Sequence, residues 1–359
     1  MRFLSVFAPR LLAACALLAF TISAGAPTPP APQDKDKKEV KTSEGEAKLG
    51  EKINKAPDAA AKLQLSEEFV KKYPQSPHRQ QIAGYVAAEV DAVADPAQKI
   101  ALMEKYVAVF TGPGESDRMN AALVNLYIDA NRLDDAYRAG GVWLEKNPEE
   151  VSGRTRLALV GVAEAQKKNP KFVNQSVEYA KQAIALMEAD KKPAASDDAQ
   201  WQQFKAQWLP QLHQALGLVA HASGNPAEAK ARLDKAVALG IADPITYVLM
   251  ADLADREYEE MALKYKAMTP GAEQDAQLKR ALERLDQVID LYAHAIAFTG
   301  DKPEQQPLRE QLMQPLTSYY KYRHNGSTDG MQQLIDKYKK PAATTATPAP
   351  AATPAAPPR

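Results

Sequence analysis

The chain has 359 residues, with 45 Lys and Arg against 45 Asp and Glu, so its formal charge at pH 7 is zero. A balance of that kind gives no electrostatic case for nucleic-acid binding, and a single cysteine, Cys15, excludes a disulfide framework and a multi-cysteine metal site. Apolar residues make up 45% and glycines number 17, which fits a globular protein and argues against a glycine-rich β architecture.

Residues 1–26 read as an export signal. Arg2 and Arg10 give a basic entry, Leu11 to Ala24 form a mostly apolar run, and small residues follow. The run is shorter than the 18 or more residues a spanning helix needs, and Pro27, Pro29, Pro30 and Pro32 stop it from extending. The expected location is therefore periplasmic or secreted. Leu12-Ala13-Ala14-Cys15 also has the form of a bacterial lipobox, so membrane attachment follows only if Cys15 is lipidated. Residues 27–43, rich in Pro, Ala, Lys, Asp and Glu, read as a disordered linker.

From 44 to 340 the apolar residues recur at three and four, which is the helical period. Proline-marked breaks divide this stretch into about seven helix pairs: 44–74, 77–111, 115–148, 150–190, 196–240, 243–298 and 303–340. Asp95-Pro96, Asn225-Pro226, Asp243-Pro244 and Thr269-Pro270 each join a capping side chain to a proline and read as helix starts. Pro210 falls inside the helical pattern that begins near Ser196; either it kinks that helix or a new helix starts there. The pair at 243–298 spans 56 residues and requires extended helices. Pro341–Arg359, PAATTATPAPAATPAAPPR, cannot pack a core and favours extended states; it reads as a disordered tail.

Two of the pairs share a set of offsets. Val124, Asn131, Ala136, Gly140, Trp143 and Pro148 stand at 0, 7, 12, 16, 19 and 24, and Gly217, Gly224, Ala229, Leu233 and Ala236 repeat the first five. This resembles the tetratricopeptide repeat, a helix–turn–helix of 34 residues. The resemblance implies an all-α solenoid, a right-handed superhelix in which each pair buries its apolar face on its neighbours. In that family the residue at offset 12 is a small alanine at the tightest helix crossing, a role that Ala136 and Ala229 fit. Val124 departs from the family's small residue and Gly140 from its large apolar one, so the pair at 117–148 is expected to pack with a shifted crossing. Tyr73-Pro74-Gln75-Ser76-Pro77 after Phe69 resembles the helix end of bacterial envelope proteins of this type.

No pattern in the sequence carries a recognisable chemistry. Gly112-Pro113-Gly114 lacks the third glycine and the lysine of a phosphate loop. Gly326-Ser327-Thr328-Asp329-Gly330 is a turn with its serine misplaced for a nucleophile elbow. None of His78, His213, His221, His294 and His324 belongs to an HExxH motif. Trp201 and Trp208, seven apart on a helix, read as packing residues rather than a sugar-binding stripe. No cofactor or metal is implied, and the reading is non-enzymatic.

The resemblance implies a concave groove lined by the first helix of each pair. Its candidate partner-binding residues are Arg118, Asn125 and Asp129; Gln211, Gln214 and His221; and Tyr320 and Arg323. This mixed polar and apolar lining suits a protein or peptide partner. The family's carboxylate clamp for peptide C-termini is matched only at Asn125, so binding of that kind is not implied. The leading expectation is an exported scaffold of the bacterial cell envelope. The alternative is a structural component of outer-membrane assembly or secretion machinery that acts as a rigid spacer, and a hydrolase of envelope polymer stands as an outsider.

Overall fold

The structure is a computed structural model that describes residues 43–194, 196–300 and 303–339. The expected export signal with Cys15, the linker up to residue 42 and the tail at 341–359 lie outside the described residues. Every regular element among the described residues is helical, and the α-helices fall into seven consecutive pairs. These are α1 (Glu44–Lys55) with α2 (Ala59–Lys72), α3 (Arg79–Asp91) with α4 (Pro96–Val109), α5 (Asp117–Asp129) with α6 (Leu133–Lys146), and α7 (Val151–Gln166) with α8 (Val173–Glu188). They continue with α9 (Asp198–Ala222) and α10 (Pro226–Ala238), α11 (Pro244–Ala267) and α12 (Ala272–Thr299), and α13 (Gln306–Arg323) and α14 (Met331–Lys337).

The helix starts follow from local chemistry. The Asp95 carboxylate accepts from the Gln98 N–H at 2.7 Å, the Asn225 side chain from Glu228 N–H at 3.2 Å, and the Asp243 carboxylate from Ile245 N–H at 2.8 Å. In each case proline occupies the first helical position, where its missing donor costs nothing. Thr269-Pro270 is the exception. α12 begins at Ala272 behind Gly271 with no side-chain cap, so the expected start lies in the turn. The Gln274 amide instead closes the end of α11 by donating to the carbonyls of Tyr265 and Met268. α9 runs through Pro210 without a break.

The described chain divides into two compact units, at residues 43–219 and 220–339. In the first, one hydrophobic core runs from Leu49 to Leu216 through Phe69, Tyr106, Tyr127, Leu157 and Trp201. Ala136 is fully buried, as a tight helix crossing requires. Trp201 and Trp208 are 2% and 9% exposed with Phe204 between them, so they pack the core. The departure at Val124 and Gly140 has a steric reason. A Cβ on Gly140 would meet Leu157 Cδ1 at 2.6 Å and lie 3.8 Å from a Val124 methyl. Large and small have exchanged places: Val124 supplies the bulk, and Gly140 makes room for a leucine of the next pair.

In the second unit Ala220, Ala229, Leu233 and Leu253 form one small core. A larger one joins Tyr247, Leu285, Val288, Tyr292, Leu312, Leu316 and Ile335, so α11 to α14 share a single apolar interior. α11 and α12, at 24 and 28 residues, are the extended helices that the spacing requires.

Candidate functional site

The candidate groove residues divide between the two units. Arg118, Asn125 and Asp129 lie on α5, seven and four residues apart, and so share one helix face. That face is tied to the first helices on either side. Arg118 pairs with Asp91, the last residue of α3, and Asp129 pairs with Arg156 of α7. Both pairs join residues 27 apart. Lys62–Glu89 repeats that spacing between α2 and α3. Three ion pairs between successive hairpins thus share one sequence spacing. Two of them are legible in the sequence as an aspartate followed 27 residues later by an arginine, and sequence reasoning missed them.

Gln211 and Gln214 are half-buried on α9, and the Gln211 amide donates to the Gln207 carbonyl at 3.1 Å. His221, two turns further along α9, lies in the second unit and meets Asp252 of α11 at 2.6 Å. Arg323 on α13 makes a two-pronged contact with Asp286 of α12 at 2.7 and 3.1 Å. Tyr320 was expected at the groove and is instead buried, 7% exposed. Its hydroxyl donates to the Asp329 carbonyl in the α13–α14 turn. It is a packing residue because the Asp329–Gly330 turn closes over its hydroxyl.

Two buried polar constellations went unread in the sequence. In the first unit, Arg79 of α3 donates twice to Glu115 at 2.8 Å, with side chains 15% and 6% exposed. The Gly112 N–H also donates to that carboxylate, at 2.7 Å. Burial pushes Glu115 up, but Arg79 and the Gly112 N–H outweigh it and hold the carboxyl below its ordinary value. The Gly112-Pro113-Gly114 loop thus cradles an anion, and the anion is the chain's own. The second constellation is on α11. Asp252 takes His221 and, at 2.8 Å, Arg256; burial raises its pKa, and these partners more than offset that and leave it lowered. One turn on, Asp255 is 2% exposed and accepts from the Tyr319 hydroxyl at 2.7 Å. Burial pushes Asp255 up, and the charges of Glu259 and Asp252 add to this.

None of this assembles a catalytic group. Ser327 accepts the Asp329 N–H in the turn after α13, where Asn325, Gly326 and Gly330 have positive φ. Among the described residues no group of three or more His, Cys, Asp or Glu is placed to hold a metal ion, and no helix is long and apolar enough to cross a membrane.

The described residues form tetratricopeptide-like helix pairs. No family model matches the chain, and no curated protein matches it. Among solved structures it is similar to a thermophilic tetratricopeptide protein of Thermus thermophilus, at 16% identity over 66% of this chain and 99% of that one, with a TM-score of 0.32. It is also similar to a tetratricopeptide repeat protein from Parabacteroides merdae, at 14% identity over 76% of this chain and 100% of that one, with a TM-score of 0.31. The tetratricopeptide-like character of the chain lies in its hairpins and in their small buried crossing residues, Ala136 and Ala229.

Proposed function

We propose that this protein is a non-enzymatic scaffold, exported to a bacterial cell envelope, that holds a protein partner on the face formed by its first helices. The supporting observation is the state of the charged groups on α5. Arg118 and Asp129 have side chains 72% and 62% exposed, and each is held by an ion pair to a neighbouring hairpin. Exposed pairs of this kind are worth about 0–1 kcal/mol. A partner offering its own carboxylates and cations exchanges with them at little cost, while the apolar core beneath stays fixed. Asn125, half-buried between the two charges, adds an amide able to donate to and accept from an extended backbone.

Photo-crosslinking tests this. A benzophenone side chain at Asn125 should capture a discrete envelope protein, and the same probe at Glu178, exposed on the second helix α8, should not. Equal capture at both positions, or none at Asn125, would reject the first-helix face. Adducts confined to the two ends of the chain would favour the rigid-spacer role instead.

A further inference from the structure

In the second unit one face of α12 is left uncovered. Gln277, 4% exposed, donates to the Met261 carbonyl of α11, so the row Gln277, Ala281, Leu285, Val288 and Tyr292 faces α11. On an adjoining face Asp286 receives Arg323, the last residue of α13. α13 stops at that level, and the face continues without it toward the start of α12. There Asp275, Leu278, Lys279, Leu282 and Glu283 border, with Arg323, a shallow depression of about 340 Å³. Lys279 and Glu283 are 80% and 61% exposed and only loosely paired, at 4.0 Å.

We propose that this face is where two copies of the chain meet, α12 crossing an antiparallel α12 about a two-fold axis level with residue 281. The half-buried Leu278–Leu282 and the exposed Asp275–Lys279–Glu283 are rows of every fourth residue. Two such surfaces interlock at a crossing angle of about −50°. At ~1.5 Å per residue, Leu282 lies ~1.5 Å to one side of the axis and Leu278 ~4.5 Å to the other, so the four leucines of the pair alternate along the contact. The same axis sets Lys279 level with Glu283 of the partner subunit, and the reverse, on the same edge of the contact. The surface is thus complementary to itself in charge, as a two-fold interface requires. A single helix crossing is smaller than the ~1,600 Å² of a standard interface, so the association is weak, with a Kd of about 10–100 µM.

Sedimentation equilibrium on the full chain tests it, up to about ten times that Kd. The wild-type chain should be a monomer–dimer mixture. Lys279→Glu and Glu283→Lys are exposed changes that leave the helix intact, and each alone should weaken self-association at least about tenfold by placing like charges face to face. Mixed in equal amounts, the two variants should associate again, because the new carboxylate at 279 then meets the new ammonium at 283. A wild-type chain that stays monomeric overturns the proposal and leaves the face to a helix of another protein. So does a dimer that both variants leave intact, or a mixture that fails to associate.

Discussion

The Tyr137 hydroxyl occupies the space that a side chain on Gly161 would need: a Cβ there would lie 2.1 Å from it and 2.0 Å from Ser176 Oγ. That hydroxyl donates to the Leu157 carbonyl at 2.6 Å and shares a 2.7 Å hydrogen bond with Ser176, and burial pushes its pKa up to about 12. One helical glycine therefore lets α6, α7 and α8 exchange hydrogen bonds in a dry core. Gly161→Ala should cost about 3 kcal/mol in a urea melt, from overpacking and from the displaced pair. Gly84→Ala, on exposed α3 with nothing within 4 Å of its Cβ, should instead stabilise by about 0.5–1 kcal/mol.

This contrast also explains how much was legible in the sequence. The hairpins could be read because proline, a capping side chain and a period of three to four act locally: Asp95-Pro96 announces α4 whatever lies around it. Ala136 and Ala229 could be read because a tight crossing demands one residue type. Gly161 could not, because its reason lies in Tyr137 and Ser176, on other helices. The exchange of Val124 for Gly140 was visible as a departure, but its cause, Leu157, belongs to the next hairpin. Of the candidate site, helical phase sets Arg118, Asn125 and Asp129 on one face of α5, where Arg118 and Asp129 are exposed and Asn125 is half-buried. Tyr320 was misplaced because phase along α13 does not reveal that the Asp329–Gly330 turn closes over its hydroxyl.

Burial should separate two arginines of similar pairing. Arg79→Ala strands the nearly buried Glu115 carboxylate and should cost about 3 kcal/mol. Arg118→Ala removes an exposed partner of Asp91 and should change stability by no more than about 0.5 kcal/mol. Urea melts of the two variants check this. The Arg118 variant should nevertheless weaken capture of a partner at Asn125 if the α5 face is the binding surface.

Asp252 and Asp255, one turn apart on α11, should give opposite pH effects. Asp252 is held below its ordinary value in the fold. Its contribution is therefore present above the ordinary carboxylate range and is lost as pH falls through the lowered value. Asp255 is raised, so the folded state holds its proton more tightly and ionisation costs stability as pH climbs past the ordinary value. Asp252→Asn should destabilise at pH 7 by about 1–3 kcal/mol, since Arg256 and His221 lose their anion. Asp255→Asn should stabilise at pH 7 while its side-chain oxygen still accepts from Tyr319. The Asp255 difference should shrink toward about pH 4, as that carboxyl takes up its proton, whereas the Asp252 difference should largely persist there and fade only at lower pH. Denaturant melts at the two pH values give the signs directly.

Tyr320 separates packing from recognition. Its hydroxyl holds the Asp329 carbonyl at 2.8 Å, and a Cβ on Gly330, whose φ is +86°, would approach that hydroxyl to 2.9 Å. Tyr320→Phe should cost about 1 kcal/mol, one net hydrogen bond, and speed amide exchange in α14. Gly330→Ala should cost about 2 kcal/mol, because the left-handed backbone and the displaced hydroxyl both resist a side chain. Neither change should alter crosslinking at Asn125. A loss of capture on Tyr320→Phe with α14 exchange unchanged would instead make the tyrosine a contact, and the Asp329–Gly330 turn would have to move off it when the partner binds.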